Sequence, residues 1–358
     1  MHHKTKHILV IRLSAMGDVA MTVPVIRALL QQHPNIKITL VSRPFFKPFF
    51  DKIDNVSFFE IDLKRRHKGF LGLMRLFLDL KKLNIDAVAD LHNVLRSKII
   101  RNLFAVTGKK TAATNKGRAE KKALVRFENK IFKPLKTMFQ RHIETFKKLG
   151  IEINVASPNF PKKVGLSTEI KKQIGYNENE NLIGIAPFAQ YESKVYPNDL
   201  MQQVIIGLAK NSKNKLLLFG GGTSEIEVLN QLSKNIQNAI VIAGTLNLTN
   251  ELQLISNLKV MLAMDSGNAH IAAMLGVPVI TLWGATHPFA GFSPFNQPIE
   301  NGLLANRILY PLLPTSIYGN KKVTGYEQVM RTITPQEIVE KINSILYKQP
   351  LTNRSGTV

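Results

Sequence analysis

The chain has 358 residues, of which 44% are hydrophobic and 20% charged, and it contains no cysteine. That length exceeds what one hydrophobic core normally serves, so two domains are expected, and disulfides and thiolate metal sites are excluded. The net charge of +23 is lopsided: residues 1–150 hold 31 Lys and Arg against 11 Asp and Glu, a balance of +20, whereas residues 151–358 hold 17 against 14, a balance of +3. Charge placed only for solubility would be spread evenly; this distribution points the first half at an anionic partner, whether phosphorylated glycolipid, membrane surface or nucleic acid.

Residues 1–7, with His2, His3 and His7, read as a tail, and no carboxylate or cysteine accompanies the histidines to complete a metal site. Ile8–Ile11 is a short apolar run suited to a buried strand. It leads into Arg12-Leu-Ser-Ala-Met-Gly-Asp18 and an apolar helix from Val19 to Gln31. Strand, turn and helix in that order open a doubly wound sheet, whose ligand crevice lies at the carboxyl ends of the strands. The turn has a single glycine and no Gly-x-Gly-x-x-Gly, which argues against a dehydrogenase. By position alone Asp18 reads as a helix N-cap. Arg12, Asp18 and Arg27 interrupt the N-terminal apolar stretch, so no signal peptide is expected.

Further strands are predicted at Ile38–Val41 and Val56–Ile61, with the basic run Lys64-Arg-Arg-His-Lys68 directly after the second. An amphipathic helix follows from Phe70 to Leu83, then a strand from Asp86 to Leu91 that ends in His92-Asn-Val-Leu-Arg-Ser97. Residues 108–126 are basic and weakly hydrophobic and read as a mobile loop; Arg141 and His142 fall on a helix running to Leu149. Basic clusters at 64–68, 96–101 and 109–126 make a binding surface.

Asn154–Asn181, with its prolines and polar run, reads as an interdomain connection. Strands resume at Leu182–Ala186, Lys215–Phe219 and Ala239–Ala243; Gly220–Gly222 close the second before a helix that carries Glu225 and Glu227. Val260–Met264 is apolar throughout, as a buried parallel strand requires. After it Asp265 and Ser266 are good N-cap types, and Gly267 lets a ligand approach the backbone. A helix beginning there aims free N–H groups and a partial positive charge at a phosphate, and His270, one turn on, reaches the same anion. A turn at Gly276 and a strand over Val277–Trp283 complete the unit. The uncharged run Ser266–Thr286 is long enough to span a bilayer, but its histidine, three glycines and proline argue against a membrane helix. Phe289–Pro314 reads as irregular, and Thr334 with Pro335 caps a final helix to Leu346.

Several of these segments carry a resemblance. Asp265-Ser-Gly-x-x-His-x-Ala-Ala273, then Gly276-Val-Pro278 and Trp283-Gly-Ala-Thr-His-Pro288, resemble the donor-site signature of the bacterial family-9 glycosyltransferases, best known as ADP-heptose:lipopolysaccharide heptosyltransferases. Ile11-Arg-Leu-Ser-x-Met-Gly-Asp18 is similar to the family's N-terminal motif, and Asp90-Leu-x-x-x-Leu-Arg-Ser97 to a second motif. Lys194-x-Tyr-Pro197 resembles a family segment ending in Lys-x-Trp-Pro, with Tyr196 in place of tryptophan; Ser266 stands where many members carry threonine.

The resemblance implies an α/β, GT-B-like fold of two Rossmann-type doubly wound parallel-sheet domains facing across a cleft. Residues 1–160 would bind the acceptor, 161–333 the nucleotide-sugar donor, and the helix at 334–347 would pack back across the junction. It implies Asp18 as catalytic base, with Arg12, Ser14, Lys64, Arg65, Arg66 and Arg96 on the acceptor. Lys194, Glu225 (or Glu227), Leu246, Asp265, Ser266, Gly267, Asn268 and His270 would hold the donor. A metal that neutralises a departing diphosphate needs clustered carboxylates, and the donor motif offers only Asp265, itself a plausible cap. Fixed cationic potential from Lys194, the helix start and His270 can take that role, so no metal and no resident cofactor are expected.

The expected activity is therefore inverting, metal-independent transfer of a heptose from a nucleotide-diphosphate donor, ADP-heptose by resemblance, to a hydroxyl of the lipopolysaccharide inner core. The expected partners are an anionic glycolipid acceptor and the cytoplasmic surface of the inner membrane, with the protein cytoplasmic and peripheral. The alternatives are a GT-B enzyme with another donor, a sugar-nucleotide epimerase and, more remotely, a nucleic-acid-binding α/β protein. No helix-turn-helix, finger or aromatic-studded strand supports the last, so no nucleic-acid partner is expected.

Overall fold

The computed structural model describes residues 6–347; His2 and His3 lie outside the described residues. The expected N-terminal tail is shorter than seven residues, because the first strand already begins at Lys6. His7 is tied into the sheet by Thr39 Oγ1 at 2.8 Å and the Leu83 carbonyl at 3.0 Å.

In chain order the first elements are β1 (Lys6–Ile11), α1 (Met16–Ala20), α2 (Thr22–Gln32), β2 (Ile36–Ser42) and β3 (Val56–Glu60). Then come α3 (Gly69–Lys81), β4 (Ala87–Asp90), α4 (Leu95–Val106), β5 (Lys110–Ala113), α5 (Arg118–Val125) and α6 (Met138–Lys148). The strands form one all-parallel sheet of order β3-β2-β1-β4-β5. Leu9, Ile11, Val41 and Val88 pack from the sheet against Leu73, Leu76, Phe77 and Leu80 of α3 and Ile100 and Phe104 of α4.

The basic stretch 108–126 is not the loop its composition suggested. Its start pairs with β4 as edge strand β5, and its end folds as α5, which buries Leu124, Val125 and, unexpectedly, Lys121. Edge strands carry few neighbours and tolerate lysine, which is why hydropathy alone misses one four residues long.

The second half supplies α7 (Thr168–Gln173), β6 (Asn181–Ala186), α8 (Asn198–Ala209), β7 (Asn214–Leu218), α9 (Thr223–Leu232), β8 (Ala239–Val241) and α10 (Leu248–Ser256). It continues with β9 (Val260–Met264), α11 (Gly267–Met274), β10 (Val279–Trp283), β11 (Gly302–Leu304) and α12 (Pro335–Leu346). These strands form a second parallel sheet, β11-β10-β9-β6-β7-β8. Two short elements sit where irregular chain was expected: α7, capped by Ser167, within Asn154–Asn181, and β11 within Phe289–Pro314. Central strands β9 and β10 are buried at every residue, consistent with helices covering both faces. α12 starts on the expected cap, Thr334 Oγ1 accepting from the Glu337 N–H at 3.2 Å. It buries Ile338 and Ile342 against α8 and β9.

By their contacts the residues fall into two compact units, which do not follow the chain as two uninterrupted blocks. One comprises the chain up to Lys163 with Ser266–Gly276 and His287–Asn296; the other comprises Val164–Asp265, Val277–Thr286 and the chain from Gln297 onward. Each sheet has the strand order of a dinucleotide-type doubly wound fold, reversing between β1 and β4 in the first and between β6 and β9 in the second.

Candidate active site

Ligands of doubly wound folds bind beyond the strand ends where the strand order reverses. At the β1/β4 reversal Arg12, the first residue past β1, donates from Nη1 to the Leu91 carbonyl at 2.7 Å, just past β4. Its Nη2 pairs with the Asp18 carboxylate. Asp18 is the third residue of α1 rather than its N-cap, and its Oδ2 accepts the Ala15 N–H at 3.4 Å. The Arg12 side chain is only 5% accessible, whereas 32% of Asp18 stays open to solvent. Burial pushes the Asp18 carboxyl up, but Arg12, the Ala15 N–H, His270 and His142 outweigh it and hold its pKa below the ordinary value. Asp18 is thus a carboxylate at neutral pH, reachable and fixed in direction by a buried cation. Ser14 lies half-buried in the same turn.

Residues that no sequence motif singled out for this site surround the pair. His142 on α6 is fully buried, and burial together with Arg12 pushes its pKa down to about 3; neither ring nitrogen has a hydrogen-bond partner among the described residues. Burial, Arg12 and Lys116 likewise push His92, just past β4, down to about 3. Lys116 is lowered by burial and by Arg12. Lys121 falls to about 8 through burial and the neighbouring Arg141, with its ammonium 4.0 Å from the Phe292 ring centre. Lys116 and Lys121 were hidden inside the stretch read as a loop.

The start of α11 belongs to the same unit. A Cβ added to Gly17 would lie 2.9 Å from His270 Cδ2 and 3.1 Å from Gly267 Cα, so only glycine lets α1 lie this close to α11. Ser266 occupies the N-cap position with an extended backbone, yet its hydroxyl makes no cap bond and is buried without a partner among the described residues. Gly267 and Asn268 are half-buried and His270 is buried.

The second unit repeats the arrangement at its own reversal. Lys194, on the loop after β6, donates from Nζ to the Asp265 main-chain carbonyl at 2.6 Å and lies 3.4 Å from Asp265 Oδ2. Asp265 therefore faces a lysine and does not cap α11, as its residue type had suggested. Glu225 Oε2 accepts the Gly221 N–H at 2.7 Å and sits on the glycine turn, whereas Glu227 is exposed. Leu246 is half-buried on the loop between β8 and α10. Tyr196 is wholly buried, its hydroxyl donating to the Ile333 carbonyl at 2.6 Å. The exchange of tryptophan for tyrosine therefore alters the core and not an exposed wall beside Lys194.

The remaining acceptor candidates are arranged less uniformly. Lys64, Arg65 and Arg66 are exposed past β3, where Asp62 Oδ1 accepts the N–H groups of Lys64 at 3.0 Å and Arg65 at 2.9 Å. Arg66 is committed within the fold: its guanidinium grips Asp79 at 2.7, 3.0 and 3.1 Å. Arg96 is exposed at the start of α4, beside the seam formed with Leu73 and Leu76. Among the described residues no group of three or more His, Cys, Asp or Glu side chains is placed to hold a metal ion.

Comparison with known proteins gives the family and the fold. Residues 73–306 match the family profile described as Glycosyltransferase family 9 (heptosyltransferase). The chain is 27% identical over 358 residues to lipooligosaccharide heptosyltransferase 2 of Haemophilus influenzae, covering 96% of this chain and 100% of that protein. A family-9 glycosyl transferase from Veillonella parvula superposes with a TM-score of 0.73 at 18% identity, covering 98% of this chain and 99% of its own. The Escherichia coli heptosyltransferase WaaC with ADP gives 0.62 at 20% identity, with 94% and 97% covered. Its fold is thus the two-sheet GT-B type, and the chain belongs to glycosyltransferase family 9.

Proposed function

We propose that this glycosyltransferase moves a heptose from ADP-heptose to a hydroxyl of the lipopolysaccharide inner core, with inversion and without a metal. The observation that carries the reading is the Asp18 carboxylate, kept ionised by Arg12 at a sheet reversal and within the electrostatic reach of His270. The acceptor oxygen attacks the anomeric carbon and its proton passes to Asp18; the bond from that carbon to the diphosphate oxygen breaks, and ADP leaves with the electron pair. Attack by a single carboxylate-assisted alcohol inverts the anomeric centre. Lys194, the free N–H groups of Ser266, Gly267 and Asn268, and His270 stabilise the charge that develops on the departing diphosphate. Glu225 and Leu246 serve the nucleoside.

In this reading residues 1–160 bind the acceptor and 161–333 the donor. Arg12, Ser14, Lys64, Arg65 and Arg96 address the acceptor's anionic groups, joined by Lys116, while Arg66 gives its charge to Asp79. The protein works at the cytoplasmic face of the inner membrane as a peripheral protein; no helix among the described residues is long and apolar enough to cross one. The heptosyltransferase activity of the relatives and the ADP in the WaaC structure support the choice of sugar and nucleotide.

The test is transfer from ADP-, UDP- and GDP-sugars to heptose-deficient lipopolysaccharide, with and without EDTA. ADP release that requires the acceptor, prefers ADP-heptose and survives EDTA is expected. Preference for another nucleotide, or EDTA-sensitive activity restored by Mg²⁺ or Mn²⁺, would overturn the corresponding part. Interconversion of the sugar nucleotide without acceptor would make the protein an epimerase.

A further inference from the structure

Helix α3 is amphipathic in an unusual sense. Leu73, Leu76, Phe77 and Leu80 form its buried face. On the opposite side Leu71, Arg75, Leu78 and Lys82 recur at i, i+4, i+7 and i+11, a single stripe along the helix, with Phe70 and Lys81 on one flank. Phe70 is 65% exposed, Leu71 73% and Leu78 55%. Arg75, Lys81 and Lys82 are exposed too, and their side chains make no hydrogen bond among the described residues. The carboxylate beside the stripe, Asp79, is already taken up by Arg66. Arg66, Arg75, Leu78, Asp79, Lys81 and Lys82 line a shallow open depression there.

We infer that the outer face of α3 is where this protein docks on an anionic bilayer surface, the helix lying in the headgroup plane. The inference rests on the membrane-associated reading given above and supplies the contact it lacks. Three protruding apolar side chains interleaved with three exposed cations, of which only Lys82 has a carboxylate, Asp79, within electrostatic reach, match an interfacial helix, in which the apolar groups enter the acyl boundary and the cations meet lipid phosphates. A second copy of the chain is a poor occupant, because an isologous contact would set Arg75, Lys81 and Lys82 against themselves. A nucleic acid would engage the cations and leave Phe70, Leu71 and Leu78 without a partner. The helix belongs to the half of the chain with a balance of +20, so its surroundings reinforce the attraction.

The experiment is flotation of the full chain with vesicles of phosphatidylcholine plus phosphatidylglycerol, against vesicles of phosphatidylcholine alone. Two variants are compared: Phe70→Ser/Leu71→Ser/Leu78→Ser and Arg75→Gln/Lys81→Gln/Lys82→Gln. Wild type should float only with the anionic vesicles, and each variant should lose more than about tenfold in partitioning, with near-UV circular dichroism and transfer to a delipidated, soluble core oligosaccharide unchanged. Should the apolar variant misfold, the charge variant decides. Wild type that ignores anionic vesicles, or variants that float as wild type does, would overturn the docking face while intact transfer to the soluble acceptor left the glycosyl-transfer reading standing. Loss of a concentration-dependent dimer, or of duplex binding, in place of lost flotation would reassign the face to a second copy or to nucleic acid.

Discussion

Lys194 spans the reversal of the second sheet, its Nζ 2.6 Å from the Asp265 main-chain carbonyl. Arg12 spans that of the first in the same way, 2.7 Å from the Leu91 carbonyl. In both sheets the loop after the first strand sends a cation to the carbonyl just past the strand across the reversal. Each cation also faces a carboxylate, Asp265 in one sheet and Asp18 in the other. Charge is therefore built in at the two places where a doubly wound fold presents its ligands.

Lys194→Ala removes the cation assigned to the departing diphosphate and is expected to lower kcat by roughly 10²–10³-fold, the range for one preorganised stabilising group. Lys194→Arg should restore little. The lysine stem runs beside Gly319, where even a single added carbon would lie 2.7 Å from Cγ, and a broader guanidinium has no matching corridor. Steady-state kinetics with varied donor check this; an arginine variant with wild-type turnover would show that charge alone suffices.

Gly17→Ala forces α1 away from Gly267 and His270. Overpacking of this kind costs about 1–3 kcal/mol, measurable by urea unfolding. A larger fractional loss in turnover than in ADP affinity is expected, because the substitution displaces Asp18 one residue away. A variant with unchanged stability and activity would mean that the two helices have room to spare.

Acid should destabilise the fold through two shielded histidines, the buried His142 and the half-buried His92. His92 and His142 titrate near 3 in the folded chain, against an ordinary value of 6.5. Between those values the unfolded chain binds protons that the folded chain refuses, so stability falls as pH drops below about 6.5, by roughly 1.4 kcal/mol per pH unit for each fully responding group. His142→Gln should flatten that slope in a series of urea melts from pH 7 to about 4. An unaltered slope would remove His142 from the account.

Arg12→Met tests the electrostatics of Asp18 itself. With the guanidinium gone, the upward push of burial on the carboxyl is no longer outweighed by its strongest opponent. The acid limb of the kcat/KM profile should move to higher pH, and part of the lost activity should return as pH rises. A limb that stays in place, with activity lowered uniformly, would limit Arg12 to binding.

Much of this arrangement was legible in residue order and some of it was not. Continuous apolar runs such as Val260–Met264 announce central parallel strands, because both of their faces are covered. Asp18, Arg12 and the Asp265–His270 stretch stand in motifs of fixed local spacing. Lys116, Lys121 and His142 join Asp18 only through tertiary packing, and their basic or unremarkable surroundings give no periodic signal. Asp265 misled for the same reason: its type favours a cap, but the partner that claims it lies 71 residues away. The edge strand β5 was masked by charge, since four residues with one paired neighbour need little hydrophobicity.

The account depends most on Asp18 as the group that takes the acceptor's proton. Asp18→Asn preserves the shape and removes the basic oxygen, so single-turnover ADP release in the presence of acceptor should slow by ~10²–10⁴-fold, while ADP binding by calorimetry stays as in wild type. Near wild-type turnover in that variant would contradict the assignment.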